Sequence, residues 1–450
     1  MAYETSFSPD HSDRVTVLQL NHDSSKLLTA SIDHRVVIYE IDASTGQRKQ
    51  LDVFTAHDAE IRDAKWFHPS TGTHFVTIGN DLQMRIWTQE TSQAPMLGRR
   101  FRKIATIKCE QLVPFVSVDV KTIGSHTYLT VIDRQGLLSL YEPTNPDEFK
   151  EWSLIDQFYV CHPIPGRSDH TSFRVQFDPN PFPLPYLTSF SDDRAQLSVA
   201  VAALNHIKLY RSVSDPDIIN AHKSPPSPSS TNVGRSATHN LYLFEVLKIP
   251  APNMQPPTSA GSLLRDIAYS PNNIRGTDVL AVASINGTVA IYDVSLQSKS
   301  FSDANAGSSR SPNVPNKQTT STTRPSAQTH QSNLTSALHA PSAATTNGSS
   351  GTTQQTTTLS RSAHPFSYTH HATPISTFKD AHNDAWSVQW DPSGQILLSS
   401  GNDGTVKMWK RVVGGSAGVT GEFELFAEQG EEDESDDEVG EEARREDDGV

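Results

Sequence analysis

The chain has 450 residues, of which 35% are hydrophobic, and a formal net charge of −14 at neutral pH. This length fits two or three average domains or one large all-β body, and the low hydrophobic content indicates that part of the chain stays outside any packed core. The negative charge disfavours direct nucleic-acid binding, because phosphate rewards a basic surface.

Six hairpins follow one another along the chain. Each places two apolar strands around a tight turn and ends in Trp or Tyr. In chain order they are LLTASIDHRVVIY, HFVTIGNDLQMRIW, LTVIDRQGLLSLY, LSVAVAALNHIKLY, VLAVASINGTVAIY and ILLSSGNDGTVKMW. A further apolar strand precedes each hairpin, beginning with VTVLQL, and a fourth follows several of them, such as RRFRKIATI. A four-stranded unit repeated six times predicts a six-bladed β-propeller.

Two Ser/Thr-rich stretches interrupt the repeat. Residues 212–238 and 295–373 hold too few branched apolar residues to offset the entropy of ordering them, so we predict disordered insertions. With both set aside, the spacing approaches the roughly 40 to 50 residues of a propeller blade. The predicted propeller therefore covers residues 10–429. Residues 430–450 form a predicted disordered acidic tail, in which twelve acidic residues and two arginines carry about −10 of the total charge.

Two hairpins share four side chains at equivalent positions. They are His57, Thr77, Asp81 and Trp87 in the second unit and His382, Ser399, Asp403 and Trp409 in the sixth. His, a hydroxyl and Asp could form a nucleophilic triad, but a catalytic site is rarely needed twice in one ring. A buried network from carboxylate to imidazole, hydroxyl and indole N–H is the simpler interpretation. We predict no catalytic residue.

Few other residues suggest chemistry. The pair His370 and His371 has no third ligand at metal-site spacing, so we expect no metal and no cofactor. Cys109 and Cys161 are too few for a disulfide framework and are typical of small buried residues. No apolar run reaches the roughly 18 residues of a membrane span, and the N-terminus lacks the pattern of a secretory signal. We expect a cytosolic or nuclear protein.

The repeated units resemble WD40 repeats, in which a His precedes the first strand and Trp-Asp ends the third. Within that family the chain resembles the Seh-type nucleoporins. The stretches that carry this resemblance are AHDAEIRDAKWFHPSTGTHFVTIGNDLQMRIW, GRRF, VPFVSVDVK, TSFRVQFDP and AHNDAWSVQWDPSGQILLSSGNDGTVKMWKR. The resemblance implies an open propeller, and the residues before VTVLQL offer no strand to close the ring.

The resemblance also implies a function. Seh-type propellers are non-enzymatic scaffold subunits of the Y-shaped nuclear pore complex, where an α-solenoid nucleoporin completes the propeller, and they also belong to the SEA or GATOR assembly on vacuolar or lysosomal membranes. Any membrane association is then through complexes, with no small-molecule substrate. We predict partner contacts along the join of blades one and six. The predicted contact residues are Val15, Val17, Leu20, Phe423 and Leu425.

Two alternatives remain open at this point. One is the vesicle-coat propeller of the Sec-thirteen type, which is also open and six-bladed. The other is a hydrolase built on a propeller, which requires acidic or His residues that converge at the channel mouth.

Overall fold

The computed structural model describes residues 8–180, 197–213, 241–252, 263–271, 276–298, 368–412 and 422–429. Within these ranges, 24 strands form six antiparallel four-stranded sheets, and the one short helix is the 3-10 turn Pro69–Thr71. No helix in the described ranges is long and apolar enough to cross a membrane.

Each sheet is one blade of a β-propeller, built from four strands that follow one another in the chain. Blade one comprises β1 (Val15–Leu20), β2 (Lys26–Ser31), β3 (Arg35–Ile41) and β4 (Arg48–Thr55). Blade two comprises β5 (Ile61–Trp66), β6 (His74–Gly79), β7 (Gln83–Gln89) and β8 (Phe101–Lys108). Blade three comprises β9 (Phe115–Ile123), β10 (His126–Asp133), β11 (Leu137–Asn145) and β12 (Glu148–Tyr159).

The C-terminal half of the chain repeats this arrangement. Blade four comprises β13 (Phe173–Phe177), β14 (Ser198–Ala203), β15 (His206–Val213) and β16 (Tyr242–Pro250). Blade five comprises β17 (Leu264–Tyr269), β18 (Asp278–Ser284), β19 (Val289–Ser298) and β20 (Tyr368–Phe378). Blade six comprises β21 (Ala385–Trp390), β22 (Ile396–Gly401), β23 (Val406–Arg411) and β24 (Phe423–Gln429). The six predicted hairpins are the second and third strands of these blades, so the six-bladed all-β prediction is confirmed.

The predicted limits of the insertions need correction. β19 and β20 pair along their whole length, from Val289 opposite Phe378 to Ser298 opposite Tyr368. The outer strand of blade five thus begins inside the range 295–373, and His370 and His371 lie on it. Its Thr/His-rich sequence hid it, because an outermost strand buries little and needs few apolar residues. Likewise, β15 extends to Val213. The rest of both predicted insertions and the acidic tail lie outside the described residues.

The core lies between adjacent blades, where the middle strands bury side chains on both faces. In β18, for example, every residue is buried. Such near-continuous apolar runs of small β-branched residues and Ala are what a sheet covered on both faces requires.

Polar side chains on the inner strands link each blade to the next. Asp63 of blade two accepts hydrogen bonds from Ser117 Oγ (3.2 Å) and the Val118 N–H (3.1 Å) of blade three. Asp266 of blade five accepts in the same way from Ser387 Oγ (2.8 Å) and the Val388 N–H (3.1 Å) of blade six. A carboxylate that receives two such bonds fixes the spacing of neighbouring inner strands.

The other adjacent blades are joined by related contacts. Thr16 Oγ donates to the Ile61 carbonyl, at 2.7 Å, between blades one and two. Asp119 accepts from the Phe177 N–H (2.7 Å) between blades three and four, and Gln176 accepts from the Tyr269 N–H (2.6 Å) between blades four and five. We call these five inner-strand contacts the interblade clasps.

Candidate protein-interaction site at the open seam

The ring has one join without a clasp, which we call the seam. The inner strands pack in chain order from β1 to β21, whereas β21 has no comparable packing against β1 among the described strands. No hydrogen bond joins these two strands either in the part of the chain that the structure describes. Among the described strands, blade one is built wholly from N-terminal strands and blade six wholly from C-terminal ones, and neither blade contains a strand from the other end of the chain.

Blade one presents exposed leucines at the seam. Leu18 pairs with Thr29 as Ala64 of blade two pairs with Thr77, so Leu18 and Ala64 are equivalent positions. Ala64 is fully buried, whereas Leu18 is 57% exposed. Leu20, two residues on and therefore on the same face, is 49% exposed. These side chains lack the neighbouring blade that covers their counterparts.

Blade six shows the same contrast on its opposite face. Val406 pairs with Ser400 as Met84 of blade two pairs with Ile78, and Val406 is 37% exposed while Met84 is fully buried. Phe426 is 61% exposed on β24, and the Lys410 ammonium lies 5.2 Å from the centre of its ring. The seam is therefore bounded on both sides by exposed apolar side chains, and the counterparts of Leu18 and Val406 in blade two are fully buried.

The structure divides the five predicted contact residues. Leu20 and Leu425 are exposed, and Val15 is partly buried beside the central channel. Val17 instead faces blade two, and Phe423 packs 5.5 Å from the Trp390 ring within the core between blades five and six. A partner cannot reach these two side chains, so the prediction for them is corrected.

Sequence reasoning missed Leu18 and Phe426. Strand alternation carried the signal for Leu18, because side chains with a period of two cannot place Val17 and Leu20 on one face. Phe426 lies where the register between β23 and β24 shifts, which the sequence does not reveal.

The two predicted tetrads lie inside their blades, where their His, hydroxyl and Trp side chains are buried. His57 Nδ1 is 2.9 Å from Asp81, its Nε2 is 2.8 Å from Thr77 Oγ, and the Trp87 indole donates to the same hydroxyl at 3.0 Å. In blade six, His382 contacts Asp403 (3.1 Å) and Ser399 (2.8 Å), and Trp409 donates to Ser399 at 2.8 Å. Each hydroxyl is thus held between an imidazole and an indole, without access to a substrate.

Blade one contains a third network of this kind, and its histidine, His11, was missed in the sequence. His11 contacts Asp33 through Nδ1 (3.1 Å) and Thr29 Oγ through Nε2 (2.9 Å). Tyr39 replaces the tryptophan, and its hydroxyl accepts from the Asp10 N–H at 2.9 Å. The spacing from His11 to Asp33 is close to the His-to-Asp spacing in blades two and six, so this spacing in the sequence could have identified His11.

The turn carboxylates of these networks have lowered pKa values and are therefore ionised at neutral pH. Burial opposes ionisation of Asp33, but hydrogen bonds from the Arg35 and Ser12 N–H groups and from His11 outweigh it and hold the pKa of Asp33 at about 2. Burial likewise opposes ionisation of Asp403, yet hydrogen bonds from Thr405 and His382 lower its pKa to about 2.

Comparison with known proteins shows which proteins this chain resembles. The WD domain, G-beta repeat family matches residues 4–40 and 372–410. Nucleoporin SEH1 of Saccharomyces cerevisiae is 21% identical over 411 residues, which cover 90% of this chain and 94% of the relative. Nucleoporin SEH1 of Chaetomium thermophilum is 24% identical over 384 residues, covering 67% and 66% respectively. Over most of its length the chain is therefore similar to Seh-type WD40-repeat proteins.

Similarity to the vesicle-coat type is more limited. The protein transport protein SEC13-2 of Candida glabrata is 29% identical over 98 residues, which cover 21% of this chain and 32% of the relative. The match of residues 372–410 to the WD40 family starts within β20 and ends in β23, because a WD40 sequence repeat joins the outer strand of one blade to three strands of the next.

Proposed function

We propose that the chain is a non-enzymatic scaffold subunit of the nuclear pore and that a partner polypeptide occupies its seam. The names of its relatives support the first part. The exposed apolar side chains on both sides of the seam support the second, because isolated soluble proteins rarely leave such equivalent core positions uncovered.

The chemistry of the seam favours a partner that adds β-structure. Blades one and six both present exposed apolar side chains at the seam, and a segment that pairs as strands would bury Leu18, Leu20, Val406 and Phe426 while satisfying its own backbone groups. Burial of apolar surface stabilises such a complex by roughly 25 cal/mol per Å². We propose an α-solenoid nucleoporin of the Y-shaped complex as this partner.

The proposal also covers a second complex that would bind at the seam. The same seam could serve a SEA or GATOR complex, which would add a vacuolar or lysosomal membrane location through that complex. The vesicle-coat alternative is less favoured, since the similarity to a coat protein covers only about a fifth of the chain.

The test uses the tagged full-length protein purified from cells with its stoichiometric partners. We expect nuclear pore subunits, and we expect Leu18→Glu to remove them because a buried carboxylate opposes docking. Leu112→Glu is the matched control, since Leu112 is 68% exposed on the connection between blades two and three. Recovery of coat subunits alone, or equal partner recovery with both variants, would contradict the proposal.

A further inference from the structure

Arginines line one mouth of the central channel. A cavity of about 500 Å³ opens there, and all six blades contribute to its wall. The described residues that line it include no Asp or Glu but include four arginines from four blades: Arg14, Arg62, Arg174 and Arg265. The mouth also contains Trp386, a tryptophan that is 47% exposed.

Two of these arginines are neutralised by carboxylates behind the wall. Arg174 lies 3.3 Å from the buried Asp63, and Arg265 lies 2.9 Å from Asp384. Arg265 also stacks over the Trp386 ring at 4.5 Å, which fixes the position of the indole.

The other two arginines remain available to an anion. The Arg62 guanidinium approaches Glu60 only to 3.7 Å, and both side chains are more than 40% exposed, so this pair is weak. The Arg14 guanidinium is exposed and forms no hydrogen bond or ion pair with the described residues. Both lie on neighbouring blades at the same mouth.

The last strand ends on the side of blade six that carries this mouth. Gln429 at the end of β24 pairs with Val406, which follows the turn whose Asn402 and Gly404 line the cavity. Three strand spacings, about 14 Å, separate the outer strand from the inner strand. The twenty residues from Glu431 onward could span up to about 66 Å if extended, so they are long enough to cross this distance.

We propose that the acidic C-terminal segment, residues 431–450, binds the arginine-lined mouth of its own propeller. Its charge of about −10 complements Arg14 and Arg62. Tethering beside the site gives the segment an effective concentration in the millimolar range, so a modest attraction is enough to occupy the mouth. The contact is solvent-exposed and electrostatic, so salt weakens it as the screening length falls from about 8 Å at physiological ionic strength to about 3 Å at 1 M.

The test places a bimane fluorophore, which tryptophan quenches on contact, at position 435 of the full-length protein through Ser435→Cys. Cys109 is buried, and burial raises the pKa of the Cys161 thiol to about 11, which favours labelling of the introduced thiol at neutral pH. We expect quenching at low salt that is lost at high salt and lost with Trp386→Phe.

A matched pair of variants locates the contact. Arg14→Glu with Arg62→Glu should abolish the quenching, whereas Arg99→Glu with Lys103→Glu, which reverses two exposed charges on blade two away from the mouth, should leave it intact. Absence of quenching at low salt, quenching that persists with Trp386→Phe, or quenching that only the Arg99 and Lys103 pair removes would overturn the proposal.

Discussion

At the scale of residues, the repeated His, hydroxyl and Asp side chains show that the same three groups can be catalytic or structural. Their surroundings decide which role they have. In blade two, Thr77 Oγ contacts both an imidazole and an indole N–H, and both Thr77 and His57 are fully buried. A nucleophile needs a free approach to its oxygen, and this hydroxyl has none. The networks instead tie the turn of each blade to its middle strands.

The acid stability of the protein should depend on the turn carboxylates. The pKa of Asp403 is about 2 in the folded protein, below the roughly 3.9 of an unfolded Asp, so its contribution is present above pH 4 and is lost as the pH falls toward 2. We expect Asp403→Asn to lower the melting temperature at pH 7, and we expect this difference to shrink between about pH 4 and pH 2.

Melting curves from pH 7 to pH 2 check this expectation. Asp147→Asn is the control, because Asp147 is exposed on the turn between β11 and β12 and its carboxylate accepts no described hydrogen bond. A difference between wild type and Asp403→Asn that stays constant down to pH 2 would show that ionisation of this carboxylate is not what stabilises the turn.

At the scale of elements, neighbouring residues of β1 have opposite surroundings. Val17 packs toward blade two and is buried, whereas Leu18 points into the seam. We expect Val17→Asp to unfold the blade or lower its melting temperature strongly, since a carboxylate would replace a core side chain. Leu18→Asp should leave the fold and melting temperature nearly unchanged.

Circular dichroism melts of the two purified variants provide the measurement. If Leu18→Asp destabilised the isolated protein as much as Val17→Asp does, some part of the chain would already cover the seam, and the exposed leucine would not be a docking surface.

Whether a strand could be predicted from the sequence depended on how deeply it is buried in the fold. Apolar hairpins with turn residues indicated the second and third strands of every blade, because those strands are largely buried on both faces in blades one to five and are apolar in blade six, although Val406 is exposed there at the seam. The outer strand β20 was missed, since its sequence YTHHATPISTF is polar and follows a long Ser/Thr-rich stretch. The exposed side chains at the seam were only partly predictable: alternation decides which face of a strand a side chain occupies, but only the assembled ring shows which face lacks a neighbour.

At the scale of the whole molecule, an open ring makes its six blades unequal. Blades two to five pack between two neighbours, whereas among the described strands blade six packs extensively only against blade five. Local opening should therefore begin at the two blades beside the seam, because regions with fewer buried contacts open at lower free energy.

Hydrogen exchange tests this inequality. Asp266→Ala removes the clasp from blade five to blade six, so amide exchange should rise across β21–β24. Asp63→Ala removes the corresponding clasp between blades two and three, where both blades keep another neighbour, so the rise there should be smaller. Equal increases in the two variants would contradict a ring that is weakest at its seam.

The pairing of β19 with β20 affects how the segment between these strands can change during evolution. Ser298 and Tyr368 are paired although 69 residues separate them in sequence, so the intervening segment leaves and re-enters the sheet at one point. Because the entropy of closing a loop grows only by about 0.6 kcal/mol per doubling of length, evolution could lengthen or rewrite this passage at little thermodynamic cost. Insertions at this point leave the propeller fold unchanged. They make the spacing of the sequence repeats irregular, and related proteins are usually recognised by that spacing.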